Sequence, residues 1–326
     1  MKNPFKNMVC YQPQTLLDMG FHSAAKAVRK AKIRGSIIER ARQKEGIRIK
    51  TAANVIIERC RQINVKNNNI EDFYIELAGT VVNWNEFTTA LRRVKHISKE
   101  IKKLQMNALK KVENAKHTKQ LREIRKEFYG RIAGLIKKNK KPLNLIYEAA
   151  KELRNFPDIE DCPTIIIAGF PNVGKSSLLW RLTGSKPEIK PYPFTTKGLM
   201  LGFSDIGSKR LQFIDTPGLL DRPFSKRNNI ELKAIVALKM LADLIVYIFD
   251  VSETCGWKLE KQYKLYKEIK KTFAIPLIPV VNKIDIYGGR CIDEIPVKNI
   301  IPVSCEKNEG MEKVKERIMA LLQQPL

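Results

Sequence analysis

Residues 169–176 read Gly169-Phe170-Pro171-Asn172-Val173-Gly174-Lys175-Ser176, the pattern G-x-x-x-x-G-K-S, and they sit between an apolar run at 164–168 and a helix-forming stretch at 177–182. A strand, a glycine-bearing loop and a helix in that order describe a phosphate cradle. The glycines let backbone N–H groups close around the α- and β-phosphates, Lys175 reaches the β- and γ-phosphates, and the Ser176 hydroxyl is placed to ligate Mg²⁺. A chance match in a glycine-containing turn would need neither neighbour. The stretch therefore predicts a nucleoside-triphosphate site in an α/β fold.

Three further boxes follow in the order such a fold requires. Asp215-Thr216-Pro217-Gly218 comes directly after an apolar strand at 211–214, so the Asp215 carboxylate ends a strand where it can hold a Mg²⁺-bound water, and the Gly218 N–H can meet the γ-phosphate. Asn282-Lys283-Ile284-Asp285 follows the strand at 277–281. A carboxylate there accepts from the N1–H and N2 amine of guanine, donors that adenine lacks, which makes Asp285 the base selector and disfavours an ATPase. Ser304-Cys305 follows the strand at 300–303 and offers a backbone N–H to guanine O6, although this box alone is weak. Between cradle and second box, a hydroxyl of Tyr192-Pro193-Phe194-Thr195-Thr196 can complete the Mg²⁺ shell.

The chain has 326 residues and a net charge of +26, unevenly spread: residues 1–160 hold 35 Lys+Arg against 16 Asp+Glu, and residues 161–326 hold 25 against 18. The front half is helical by period, with Leu91, Val94, Ile97, Ile101, Leu104, Ala108 and Val112 three or four apart and a second stripe of Leu121, Ile124, Phe128, Ile132 and Leu135. Facing stripes imply an antiparallel bundle whose outer faces carry the lysines and arginines. Its last helix starts near Pro142, and 155–163 reads as the linker. The division expected is a basic helical domain at 1–160 and an α/β domain at 161–326, built on a mostly parallel sheet.

Such a positive excess fits a nucleic acid or an acidic membrane surface, since each Lys or Arg set against a phosphate releases counterions; a merely solvated basic face is the plainer alternative. No apolar run reaches membrane-spanning length, because residues 234–249 are interrupted by Lys239 and Asp243. The six cysteines and three histidines show no metal-ligand spacing. A soluble, cytoplasmic monomer is expected.

The boxes resemble those of Obg-type GTPases, and more closely the nucleolar GTP-binding protein branch. The similarity is carried by 169–177, by Tyr192-Pro193-Phe194-Thr195-Thr196-Lys197-Gly198, by Asp215-Thr216-Pro217-Gly218-Leu219-Leu220-Asp221-Arg222-Pro223 and by 282–285, and it extends forward to Lys32-Ile33-Arg34-Gly35. The resemblance implies a Ras-like G domain of the P-loop NTPase class behind an all-α bundle, contact with ribosomal RNA, and a role in maturing the large ribosomal subunit. With only one predicted helix after the last box, the sequence is most similar to compact archaeal members; nucleolar placement would apply in a eukaryote.

It also implies a nucleotide site made of Gly169, Phe170, Pro171, Asn172, Val173, Gly174, Lys175, Ser176, Ser177, Thr195, Thr196, Asp215, Thr216, Pro217, Gly218, Asn282, Lys283, Asp285, Ser304 and Cys305. Ser176, Thr196 and Asp215 would surround Mg²⁺, while Lys175, Thr196, Asp215 and Gly218 would serve catalysis. Where Ras-like enzymes often carry a water-orienting Gln, this chain has Leu219, so slow intrinsic hydrolysis is expected, with Asn172 helping to bind K⁺. Two alternatives remain open: a nucleotide-bound RNA scaffold with negligible turnover, and a GTPase assisting RNA modification or translation.

Overall fold

The computed structural model describes residues 1–63, 65, 70–193, 198–286 and 295–323. It divides into two compact units, Pro4–Asn69 with Val81–Arg154, and Asn155–Leu326 with Met1–Asn3 and Ile70–Thr80.

The first unit is helical. It contains α1 (Pro13–Lys30), α2 (Ile37–Gln62), α4 (Trp84–Asn114), α5 (Thr118–Lys138) and α6 (Lys140–Leu153). Local chemistry fixes the starts. Ser36 and Glu39 form a capping box on α2, and the Asn83 side chain accepts from the Asn85 and Glu86 N–H groups at the head of α4. Only residues 115–117 separate α4 from α5, which makes them antiparallel neighbours. Leu16 and Ala24 of α1, Ile49, Ala52 and Ile56 of α2, and Ile97 and Ile101 of α4 are fully buried. Gly20 permits the close approach of α1 to α2, for a Cβ there would lie 2.7 Å from Ile56 Cγ1.

Both expected stripes form the core with two adjustments. Ile136, not Leu135, closes the stripe of α5, and the buried position after Ile101 belongs to Gln105 rather than Leu104. Gln105 is accommodated because its amide donates to Lys50 O (3.2 Å) and Asn54 Oδ1 (2.9 Å).

The second unit carries a seven-stranded sheet in the order β2-β3-β4-β1-β5-β6-β7, comprising β1 (Thr164–Ala168), β2 (Glu188–Lys190), β3 (Leu199–Ile206), β4 (Lys209–Asp215), β5 (Leu244–Asp250), β6 (Leu277–Asn282) and β7 (Ile301–Pro302). Strands β4, β1, β5, β6 and β7 are parallel neighbours, while β3 pairs antiparallel with β2 and β4. Every residue of β1 and β5 is buried, as strands covered on both faces must be. Helices α7 (Lys175–Thr183), α8 (Asn229–Leu241), α9 (Leu259–Phe273) and α10 (Met311–Leu322) complete the α/β layering, and α3 (Asp72–Val81) belongs largely to this unit.

The stretch expected as a linker is packed. Phe156 and Ile159 are buried, Asn3 N–H donates to Asp158 Oδ1 (2.8 Å), Ile159 N–H donates to Met1 O (3.0 Å), and the Tyr74 hydroxyl donates to Pro157 O (2.9 Å). These bonds draw residues 1–3 and 70–80 into the second compact unit.

Candidate functional site

Parallel strands bring the functional residues to one edge, because loops leaving their C-terminal ends open on the same side of the sheet. Register does the alignment: Ile167 of β1 lies opposite Asp215 of β4, and Asp250 of β5 opposite Asn282 of β6. The cradle follows β1 directly. Gly169 has φ +143° and Gly174 φ +102°, and a Cβ on Gly174 would fall 2.1 Å from Asn282 Nδ2, so this glycine is demanded by both conformation and space. Asn172 also adopts a left-handed φ of +63° and is exposed.

Phe170 and Val173 are buried and anchor the loop, Phe170 with its ring 4.7 Å from that of Trp257. Pro171, Ser176 and Ser177 lie toward its surface. Lys175 begins α7 and is 8% exposed, and its ammonium donates to Gly169 O (2.9 Å) and Phe170 O (2.8 Å), inside the loop. Burial lowers its pKa, against the pull of the Asp215 and Asp221 carboxylates.

Ser176 Oγ donates to Asp215 Oδ2 at 2.7 Å. Asp215 is fully buried, and its other oxygen, Oδ1, has no hydrogen-bond partner among the described residues. Burial pushes this carboxyl up, with Lys175 and Ser176 drawing it down. A hydroxyl beside a carboxylate with unsatisfied lone pairs is a hard oxygen donor set, which suits Mg²⁺. No group of three or more His, Cys, Asp or Glu placed to hold a metal ion occurs among the described residues, and a Mg²⁺ site that keeps its waters and takes phosphate oxygens requires none. Thr216 is buried; Gly218 has φ +86° and donates its N–H to Asp221 Oδ2 (2.9 Å). Pro217 lies between them, partly exposed. Leu219 is entirely buried, so its side chain turns into the core.

At the other end Asn282 ties two boxes together, donating from Nδ2 to Val173 O (2.9 Å) and accepting at Oδ1 from the Cys305 N–H (3.0 Å). Of the backbone N–H groups in the box expected to reach guanine O6, that of Cys305 is engaged with Asn282 and that of Ser304 with Glu309 O (3.1 Å). Ser304 Oγ donates to Asp285 Oδ1 (2.6 Å), orienting a carboxylate that this bond holds below its usual range. Lys283 has φ +67° and sends its ammonium to Asp250 Oδ2 (2.6 Å) and Thr254 Oγ1 (2.8 Å).

Asp250, Thr254 and Arg181 escape motif reading. Asp250 is fully buried; burial alone would raise its carboxyl, but the Lys283 and Ser252 hydrogen bonds bring it below the ordinary value. Arg181 of α7 donates to Cys305 O (2.7 Å) and Glu306 O (2.9 Å), clamping the last loop. One signal was available: Asp250, like Asp215, is a carboxylate ending an apolar strand. Tyr192 is buried and its hydroxyl donates to Ala234 O (2.9 Å). Thr195 and Thr196 lie outside the described residues.

In the helical unit, α2 and α4 border a groove of about 1290 Å³ whose rim carries Arg59, Arg61, Lys95, Lys99, Lys102 and Lys103. Glu58 is the one acidic residue lining it among the described residues. Cys60 in its wall is inert as a nucleophile, because burial pushes the thiol up to about 11 despite a hydrogen bond with Ser98.

Residues 5–160 match the family model described as the NOG1 N-terminal helical domain, and residues 229–285 match that of nucleolar GTP-binding protein 1. An uncharacterized protein of Methanocaldococcus jannaschii is 37% identical over 301 residues, covering 91% of this chain and 83% of that one. Nucleolar GTP-binding protein 1 of Kluyveromyces lactis is 33% identical over 263 residues, covering 77% of this chain and 41% of its own length. The chain thus spans less than half the length of that eukaryotic relative. Among solved structures, a Plasmodium falciparum chain described as nucleolar GTP-binding protein 1 has 34% identity, a TM-score of 0.46, and coverage of 52% of this chain and 90% of its own. The G domain of Thermotoga maritima FeoB has 26% identity, a TM-score of 0.43, and coverage of 49% and 99%.

Proposed function

The chain belongs to the nucleolar GTP-binding protein 1 family, and on that premise we propose that it binds GTP with Mg²⁺, hydrolyses it slowly to GDP, and uses the nucleotide state to time a step in assembly of the large ribosomal subunit. The observation that carries the nucleotide reading is the pair of bonds made by Asn282. They fix the phosphate loop at Val173 and the last box at Cys305 to the same side chain, and Asp285 is held next to them by Ser304. Base recognition and phosphate binding are therefore one rigid construction.

Lys175 supplies the positive charge for the β- and γ-phosphates, exchanging its two carbonyl partners for phosphate oxygens. Ser176 and Asp215 would hold Mg²⁺, joined by Thr196 on the sequence reading, and the ion would neutralise charge developing on the phosphates. The Lys283 ammonium is held by Asp250 and Thr254, which leaves its stem to cover one face of the purine. Leu219 offers no hydrogen bond to an attacking water, and Asn172, exposed at the cradle in a left-handed conformation, is the candidate to recruit K⁺ as the missing positive charge.

The basic groove between α2 and α4 supports RNA as the partner of the helical unit. Rows of like charge at three- and four-residue spacing destabilise a helix, and a polyanion offsets that cost. No described helix is long and apolar enough to cross a membrane, and a cytoplasmic site of action fits an RNA partner. The burial of Leu219 equally favours a second reading, a nucleotide-bound scaffold that scarcely turns over. Multiple-turnover phosphate release, with and without large-subunit precursor and in KCl against NaCl, separates the two. A slow rate that KCl raises and Lys175→Ala abolishes supports the enzyme; bound nucleotide without release under any of these conditions supports the scaffold.

A further inference from the structure

We propose that Asp221 sets the discrimination between GTP and GDP, by occupying the backbone N–H that a γ-phosphate must take. The proposal rests on the guanine-nucleotide reading of the site and adds a determinant outside the residues assigned to nucleotide contact. Asp221 Oδ2 accepts the Gly218 N–H at 2.9 Å. That N–H is the group through which the second box would meet the γ-phosphate, and one N–H cannot serve two anionic acceptors well. A carboxylate and a phosphate brought to the same hydrogen also repel one another. GDP ends at the β-phosphate and does not contest the position, so the cost of moving Asp221 falls on GTP alone.

The carboxylate is not a stray contact. Its other oxygen, Oδ1, accepts from Arg227 Nη2 at 3.0 Å, and the side chain of Arg227 is completely buried. Arg227 also donates to Leu219 O (2.6 Å) and to Gly218 O, so one guanidinium grips the loop at three places. Behind it stands Glu231, 3.6 Å from Arg227 and 2.7 Å from Arg222, and the same Glu231 caps α8 by accepting the Asn228 N–H (2.9 Å). The network holds two acids and two arginines and is balanced without any contribution from Gly218. Asp221 can therefore release the Gly218 N–H and keep Arg227. Around Gly218, at φ +86°, no atom of the described residues lies within 4 Å of where a Cβ would stand, so its N–H side is uncrowded while Arg227 holds its carbonyl.

Loss of this competitor should tighten GTP and leave GDP alone. Calorimetric titration of the full chain with GTPγS and with GDP, both in Mg²⁺, tests this in wild type, Asp221→Ala and Asp221→Asn. In Asp221→Ala the GTPγS affinity should rise about tenfold, the loss of one charge-assisted hydrogen bond to the competitor, with GDP affinity unchanged within about twofold. Asp221→Asn keeps the shape and an acceptor oxygen but no charge, so it should fall between and guards against a loop that collapses in the alanine variant. A GTPγS to GDP ratio equal to that of wild type in both variants, or a drop in GTPγS affinity in both, overturns the role of Asp221. A wild-type chain that binds neither nucleotide overturns the site reading and this proposal with it.

Discussion

The two units of this chain encode their work in opposite ways. In the sheet-bearing unit, the proposed nucleotide site is concentrated in a few residues whose identity is dictated atom by atom: Gly174 has room for no Cβ against Asn282, and the Ser304 hydroxyl orients Asp285. In the helical unit, the proposed RNA contact is spread over a charged groove lined by six Lys and Arg side chains, of which Arg59 donates to Gln62 (2.9 Å) and Lys102 to Gln105 (3.0 Å). Where chemistry needs a fixed backbone, one methyl group should be decisive. Where it needs only charge, several residues must change before much is lost.

The largest expected effect follows from the first half of that contrast. Gly174→Ala places a methyl against Asn282 Nδ2 and imposes a left-handed φ on an alanine, so nucleotide affinity should fall by about 100-fold or more, while RNA affinity measured by filter binding on the same protein stays within about twofold. Equal loss of both would show that the two functions are not separately encoded.

Replacing Lys95, Lys99 and Lys102 together by Gln should have an intermediate effect of the opposite selectivity. RNA affinity should drop by about tenfold at low salt and the salt slope by about 2 to 3, with GTP affinity unchanged. The same triple change at Lys110, Lys111 and Lys126, outside the groove, serves as control; a comparable loss there would replace a groove with a general basic surface. The smallest effect belongs to Tyr192→Phe, which removes the hydroxyl that donates to Ala234 O and should cost about 1 kcal/mol by denaturant unfolding, without altering RNA affinity.

Legibility of the sequence follows the same division. The parallel strands β1 and β5, and most of β4 and β6, announce themselves as short apolar runs because both faces are buried, while β7 is only two half-buried residues. The antiparallel β3 does not, since its half-exposed residues break the run, and β2 is three residues long and mostly exposed. The residues proposed for phosphate and base contact can be picked out because their types recur at fixed spacing after strands. The residues that hold those contacts in place are not: Asp250 on Lys283, Arg181 on Cys305 and Arg227 on Leu219 are joined by side-chain bonds between elements far apart in sequence or inside an aperiodic loop.

The attachment of residues 70–80 to the sheet-bearing unit is hidden for a similar reason, because Tyr74 reaches Pro157 O across 83 positions. Helical stripes, by contrast, need only period, and they fail locally where a polar side chain such as Gln105 finds partners in the core.

The central claim is that Asp285, oriented by Ser304, selects guanine while Lys175 and its loop grip the phosphates. Calorimetric titration of the full chain with GTP, GDP and ATP in Mg²⁺, repeated with Asp285→Asn, addresses it directly. GTP and GDP should bind one to one, ATP should bind at least about 100-fold more weakly, and Asp285→Asn should lose about 100-fold of guanine affinity, as expected when a built hydrogen-bonding site loses its partner. ATP binding equal to GTP, or Asp285→Asn retaining wild-type affinity for guanine nucleotides, would contradict it.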